Sequence, residues 1–143
     1  MKEMTKVVLD AMGGDNAPHE IIKGAIEAIQ KRDDIHVILT GKEDVINKEL
    51  AGYTYNKEQI SVVHAEEIIE TAEPPVMAIR RKKDSSIVVG MKLVKDGEAD
   101  AFVSAGSSGA VLVGGQLLVG KIIGVERPPP APLIPTEKGF SLL

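Results

Sequence analysis

Apolar residues recur along this chain in two alternating rhythms. Val7, Val8 and Leu9 make a short apolar run in "KVVLDA" that ends against the small and acidic stretch "MGGDNAP". A run this short, bounded by glycine, predicts a buried strand over 6–11. In "APHEIIKGAIEAIQKR" the residues Ile21, Ile22, Ala25, Ile26 and Ile29 return at helical spacing. Pro18 suits the first turn, Glu20 the positive end and Lys31 with Arg32 the negative end, so a helix follows the strand. The rhythms then repeat as a strand in "HVILTG" (36–41), a short helix in "KEDVINKELAG" closed by Gly52, and a strand in "QISVVHA" (59–65).

Pro74 and Pro75 offer the start of a helix in "EPPVMAIRRKKDSS", whose cations Arg80, Arg81, Lys82 and Lys83 approach its C-terminal end. Asp84, Ser85 and Ser86 then offer caps for "IVVGMKLVKDG", a segment apolar enough to lie between layers. "ADAFVSAG" (99–106) predicts a fourth strand, and "SSGAVLVGGQLLVGK" a helix apolar almost all round and therefore buried on several sides. The proline-rich "ERPPPAPLIPTEKG" cannot be helical and is expected to run extended toward a last strand at Phe140.

Strands alternating with helices predict an α/β fold, a doubly wound and mostly parallel sheet with helices on both faces. In such a sheet the strand-to-helix loops leave at the carboxyl edge, where ligands bind. The loops "DAMGGDNAP", "TGKED", "HAEE" and "SAGSSGA" are thus expected on one edge.

Composition narrows the functional classes. A chain of 143 residues with 43% apolar content suits one core, with no internal boundary. Its net charge of -4 comes from 17 basic and 21 acidic side chains that are well mixed, so charge points to neither nucleic acid nor a membrane surface. Without cysteine there is no disulfide, thiolate zinc site or cysteine nucleophile, in keeping with a reducing cytoplasmic setting. No segment reaches the roughly 18 apolar residues of a membrane helix. The apolar ending "GFSLL" has no polar tail, and residues 1–143 read as the truncated N-terminal portion of something larger.

Two loops could carry chemistry. Gly13 and Gly14 permit close approach to the main chain, while Asp10, Asp15 and Asn16 bring acceptors and an amide. The alternative is structural: a tight turn, a helix cap from Asp15 or Asn16, and an Asp10 that bonds local amides. The pattern is neither a dinucleotide fingerprint nor a Walker loop. "SAGSSGA" places Ser104, Gly106, Ser107, Ser108 and Gly109 before a helix whose free N–H groups favour an anion. Serine capping by Ser107 or Ser108 with glycines for packing accounts for it equally. The histidines, His19, His36 and His64, show no metal spacing. The run Arg80 to Lys83 suits either an acidic partner or a solvated helix end. Arg127, before "PPPAP", stands on a stiff segment.

Three long motifs in order, "LDAMGGDNAP", "RRKKDSSIVVGMKLVKDGEADAFVSAG" and "GKIIGVERPPPAPLIPT", resemble the bacterial phosphate acyltransferases of the PlsX family, from Val7 to about Leu143. Family members are about twice as long, so the resemblance is to their N-terminal part. It implies a fold similar to the isocitrate dehydrogenase and phosphotransacetylase group, usually as a homodimer, with no metal or organic cofactor. It also implies transfer of a fatty acyl group from acyl carrier protein to inorganic phosphate, giving acyl phosphate for a membrane acyltransferase. Under it, Asp10, Asp15 and Asn16 are candidate catalytic residues. Gly13, Gly14, Ser104, Gly106, Ser107, Ser108 and Gly109 are candidate phosphate binders, and Arg80, Arg81, Lys82 and Lys83 a docking site for the acidic carrier. The implied setting is cytoplasmic and peripheral at the inner membrane face. Alternatives are a phosphotransacetylase-like enzyme using an acyl coenzyme A, and a phosphate-binding module without chemistry. "SAGSSGA" departs from the family's usual SAGNTGA, losing the amide side chain at Ser107, and "RPPPAP" departs mildly from RPALAP.

Overall fold

A computed structural model describes residues 4–142. Four parallel strands form the sheet, in the order β3-β2-β1-β4: β1 (Thr5–Asp10), β2 (Ile35–Gly41), β3 (Ile60–His64) and β4 (Ala101–Val103). The chain winds outward from β1 through β2 to β3, then returns to place β4 on the other side of β1. The winding direction therefore reverses between β1 and β4. In open α/β sheets ligands bind outside the carboxyl ends of the strands at such a switch point.

Strand pleating decides which face each helix covers. Leu9, Val37 and Leu39 turn to α1 (His19–Lys31) and α2 (Glu43–Leu50), forming a core with Ile22, Ile26, Ile29, Ile46 and Leu50. Val8 and Ile38 turn to the opposite face and meet α4 (Ser86–Lys95) through Leu93 and Val94. α3 (Pro75–Arg81) and α5 (Ser108–Gly114) pack beside α4 in a third cluster around Ile79, Ile87, Val88 and Met91. The doubly wound α/β arrangement expected from the alternation is present, and the four strands are parallel without exception. α4 lies between layers, as its composition demands. A Cβ on its Gly90 would fall 2.6 Å from the Phe102 ring of β4.

Three elements differ from the sequence expectation. β4 holds three residues, not the eight of "ADAFVSAG", because Ser104 leaves the ladder to bond across to β1. The expected helix over 107–121 keeps α geometry only to Gly114, continues as a π-helical turn (Gly115–Val119) and stops at Gly120 with φ +104°. Adjacent glycines at 114 and 115 weaken the helix there. Its burial on several sides is not met: Leu112, Leu117 and Val119 are exposed, because α4 and α3 cover one side only. The tail carries an unforeseen strand, β5 (Leu133–Thr136), which pairs antiparallel with β6 (Gly139–Leu142). Pro135 lies within β5, a placement that a two-stranded ribbon with open edges accepts. β6 holds the expected strand at Phe140; Leu143 lies outside the described residues.

Candidate functional site

The two loops flanking the switch point touch. Asp10 is the last residue of β1 and only 1% exposed. Its Oδ2 accepts a 2.7 Å hydrogen bond from the Ser104 hydroxyl, and its Oδ1 accepts one of 3.1 Å from the Met12 amide. Ser104 Oγ in turn accepts from the Gly106 amide at 3.0 Å. A buried carboxylate is tolerated when donors satisfy it. Here those donors come from both loops, so one side chain ties the β1 turn to the β4 turn.

Contact this close requires glycine. A Cβ on Gly13 would sit 2.3 Å from Asp10 Oδ2 and 2.9 Å from Ser104 Oγ. A Cβ on Gly106 would fall 3.2 Å from the Gly13 Cα. Gly14 has φ +104°, a conformation that side chains resist, and lies against Ala105. Gly13, Gly14 and Gly106 thus let two main chains pack face to face.

Asp15 and Asn16 are exposed. Neither caps α1: its N-cap is Pro18, joined to Ala17 by a cis peptide, with no side-chain cap bond. The Asn16 carbonyl accepts from the Glu20 amide instead. On the β4 side, Ser107 is buried and its hydroxyl caps α5 by accepting from the Ala110 amide at 3.2 Å. Ser108 is exposed, and a Cβ on Gly109 would fall 2.6 Å from Pro75, which joins the start of α5 to the start of α3. Of the serines and glycines expected to bind an anion, Ser104, Ser107 and the Gly106 amide therefore already have partners within the fold. Ser108 is exposed and Gly109 half-buried.

Sequence reasoning passed over Thr40. It sits opposite Asp10 in the β1–β2 register, is fully buried, and its hydroxyl has no hydrogen-bond partner among the described residues. A threonine closing the continuous apolar run Val37–Leu39 is the one signal that marks it. The other two loops of this edge join each other: Lys42 Nζ lies 3.1 Å from Glu66 Oε1, and the Glu43 amide donates to His64 Nδ1 at 3.3 Å. His19 pairs with Glu49, and His36 bonds Ser61 and the Glu58 carbonyl.

The basic run is divided. Arg80, Arg81 and Lys83 are exposed, whereas Lys82 turns back to the Glu73 carboxylate and the Ile68 carbonyl. The Lys82 hydrogen bond, aided by the Glu70 amide, holds the Glu73 carboxyl below the usual carboxylate range. A depressed carboxyl stabilises the fold above its unfolded pKa and loses that contribution as pH falls through the folded one. Acid is therefore expected to lower the melting temperature of the native chain more steeply than that of Glu73→Gln, as thermal scans across the carboxylate range will check. Arg127 is exposed. Among the described residues, no cluster of three or more His, Asp or Glu side chains suits a metal ion.

A family model described as fatty acid synthesis protein matches residues 5–143. The chain belongs to this family, the PlsX family. A phosphate acyltransferase of Alkaliphilus oremlandii is 56% identical over 138 residues, covering 96% of this chain and 41% of that protein. Phosphate acyltransferases of Clostridium beijerinckii and Clostridium novyi are 54% and 53% identical, each over 94% of this chain and 40% of the relative. The chain spans about two-fifths of the length of the curated relatives it matches.

Proposed function

We propose that this chain carries the β1 and β4 walls of the active site of an enzyme that moves a fatty acyl group from acyl carrier protein to inorganic phosphate. The observation that supports this most is the Asp10–Ser104 bond, which holds two glycine loops together at the switch point of a PlsX-family sheet. In the reaction a phosphate oxygen attacks the thioester carbonyl; a C–O bond forms, the C–S bond breaks, and the carrier sulfur leaves as thiolate and takes up a proton. Phosphate must be stripped of water and aimed, and the carbonyl oxygen must be held as its charge develops.

The residues divide these tasks. Ser108 and the main chain of Gly109 are the donors for an anion, while Gly13 and Gly14 keep the opposite wall low. Asp15 and Asn16 orient the substrate from the solvent side. Asp10, buried and bonded at both oxygens, positions the two loops and does not take the proton. Arg80, Arg81 and Lys83 attract the acidic carrier at long range. In this reading the enzyme works as a cytoplasmic homodimer, peripheral at the inner membrane face, and passes acyl phosphate to a membrane acyltransferase. No helix among the described residues is long and apolar enough to cross a membrane.

The test uses this chain joined to the part of the Alkaliphilus oremlandii protein outside the match, with labelled phosphate and one long acyl chain. Acyl phosphate is expected from the carrier thioester at roughly tenfold or higher kcat/KM than from the coenzyme A thioester, a difference of about 1.4 kcal/mol in transition-state binding. Preference for coenzyme A would replace this reading with a phosphotransacetylase-like one. Stabilisation by phosphate without any product would leave a binding module.

A further inference from the structure

Lys82 stands apart from the cations beside it. It directly follows the seven-residue α3, and Glu73 lies just ahead of Pro74, the N-cap of that helix. The Lys82 ammonium donates to the Glu73 carboxylate and, at 2.6 Å, to the Ile68 carbonyl. The Glu70 amide donates to the same Glu73 oxygen at 2.7 Å, and the Glu73 amide donates to the Glu70 carbonyl. The ion pair therefore closes the loop ahead of α3 onto the far end of the same helix. A helix this short depends on tertiary contacts to hold its place.

The other half of that loop is fastened differently. The Glu67 amide donates to the Asp84 carbonyl, the Ser86 amide to the Glu67 carbonyl, and the Asp84 amide to Glu67 Oε2. Those bonds fix the loop at Glu67 against the start of α4. Among the described residues, Lys82 is the side chain from outside that hydrogen-bonds the stretch 68–73. Both partners of the ion pair are more than a quarter exposed, so the pair contributes little to stability. Its effect is on shape: a carboxylate and a main-chain carbonyl from different parts of the loop converge on one ammonium.

The end of this loop carries a contact with the candidate anion donors. Pro75 opens α3, and a Cβ on Gly109 would fall 2.6 Å from its Cγ. Behind this contact α3 and α5 pack together, with Ala78, Ile79 and Ala110 in one buried cluster. Pro75 thus buttresses the turn that holds Ser108 and Gly109, and Lys82 holds the segment that delivers Pro75.

We infer that Lys82 is a positioning residue: through Glu73 and Pro75 it keeps the start of α5, and with it the Ser108 and Gly109 donors, in place for phosphate. The role rests on the acyl-transfer reading of the site. It differs from the long-range attraction of an acidic carrier by Arg80, Arg81 and Lys83.

Lys82→Met keeps the apolar stem and removes the ammonium. Hydrogen exchange is followed in this chain, and kinetics in the joined protein, this chain followed by the unmatched part of the Alkaliphilus oremlandii relative. Ile26→Val, a core change of similar small cost on the opposite face of the sheet, is the control. The Ala110 and Val111 amides bond Ser107 across the first turn of α5. They are expected to exchange roughly threefold or more faster in Lys82→Met than in the control. KM for phosphate is expected to rise roughly threefold to tenfold, with kcat within about twofold of native. Pro75→Ala is expected to raise KM for phosphate likewise, and the double variant to match Pro75→Ala alone within about twofold, since both changes act through one contact.

Exchange at Ala110 and Val111 no faster than in the control overturns the role, and so do multiplicative effects of the two changes on KM. A KM that rises for the carrier thioester and not for phosphate also overturns it, returning Lys82 to the docking surface. If Lys82→Met does not fold, Glu73→Gln weakens the same bond more gently and is read in the same way. Absence of acyl phosphate from the native joined protein removes the acyl-transfer reading, while the exchange comparison still decides whether Lys82 holds α5.

Discussion

Gly13→Ala is expected to destabilise the chain by about 3 kcal/mol, through forced overpacking and loss of a hydrogen bond to a buried carboxylate. The added methyl would lie 2.3 Å from Asp10 Oδ2 and 2.9 Å from Ser104 Oγ, closer than any real carbon sits to either atom. Neither neighbour moves freely: Asp10 is 1% exposed and held by the Met12 amide, and Ser104 is held by the Gly106 amide. The strain must pass into the two loops, separating them and losing the bond that joins them. For a domain of this size the melting temperature falls by roughly 10 °C. Thermal and urea unfolding check this against Gly24→Ala, whose methyl meets open space and is expected to be neutral or stabilising. An unchanged midpoint for Gly13→Ala would mean that the loops do not meet as described.

Ser104→Ala carries the second large effect. It removes the hydroxyl that donates to the buried Asp10 carboxylate and accepts from the Gly106 amide, leaving two polar groups short of a partner. Hydrogen bonds to charged groups contribute about 1.5–3 kcal/mol, and the buried carboxylate bears most of the loss, so destabilisation of about 2–3 kcal/mol is expected. A double-mutant cycle with Asp10→Ala isolates the bond. Its coupling energy is expected near 1.5–3 kcal/mol, the range for a charge-assisted pair within one network. Coupling near zero would show that the two loops hold together without it. Under the proposed function, Ser104→Ala in the joined protein is expected to raise KM for phosphate more than it lowers kcat, since the proposed anion donors sit on the loop that Ser104 holds.

Much of the fold was legible from one-dimensional pattern. The apolar run at Val7 to Leu9 is too short for a helix and too apolar for a surface. The Ile21 to Ile29 series has helical spacing and little else, so their assignments depend on local chemistry. Elements near the site were read less well. The strand expected over 99–106 exceeds β4 because no proline or charge ends the run after Val103, and only the bond from Ser104 to Asp10 draws the chain out of the ladder there. Lys82 read as one of four like charges. Its inward turn depends on Glu73, nine residues earlier in the chain, across a helix that no local pattern orients. The helix beyond Gly114 read as buried because its residues are apolar, yet burial depends on what lies beside it.

Periodicity, capping residues and glycine placement determined by themselves that this chain alternates strands with helices, and that its strand-to-helix loops leave a parallel sheet on one edge. These properties follow from backbone sterics and side-chain spacing within a few residues, which a linear text records. Tertiary structure alone decided that β4 inserts beside β1 and that Asp10 meets Ser104, two residues 94 positions apart. It alone decided that Gly24 and Val103 face an open trench. Such contacts come from strand order and helix packing, which join distant segments by burial and hydrogen bonding and leave no periodic trace in either segment.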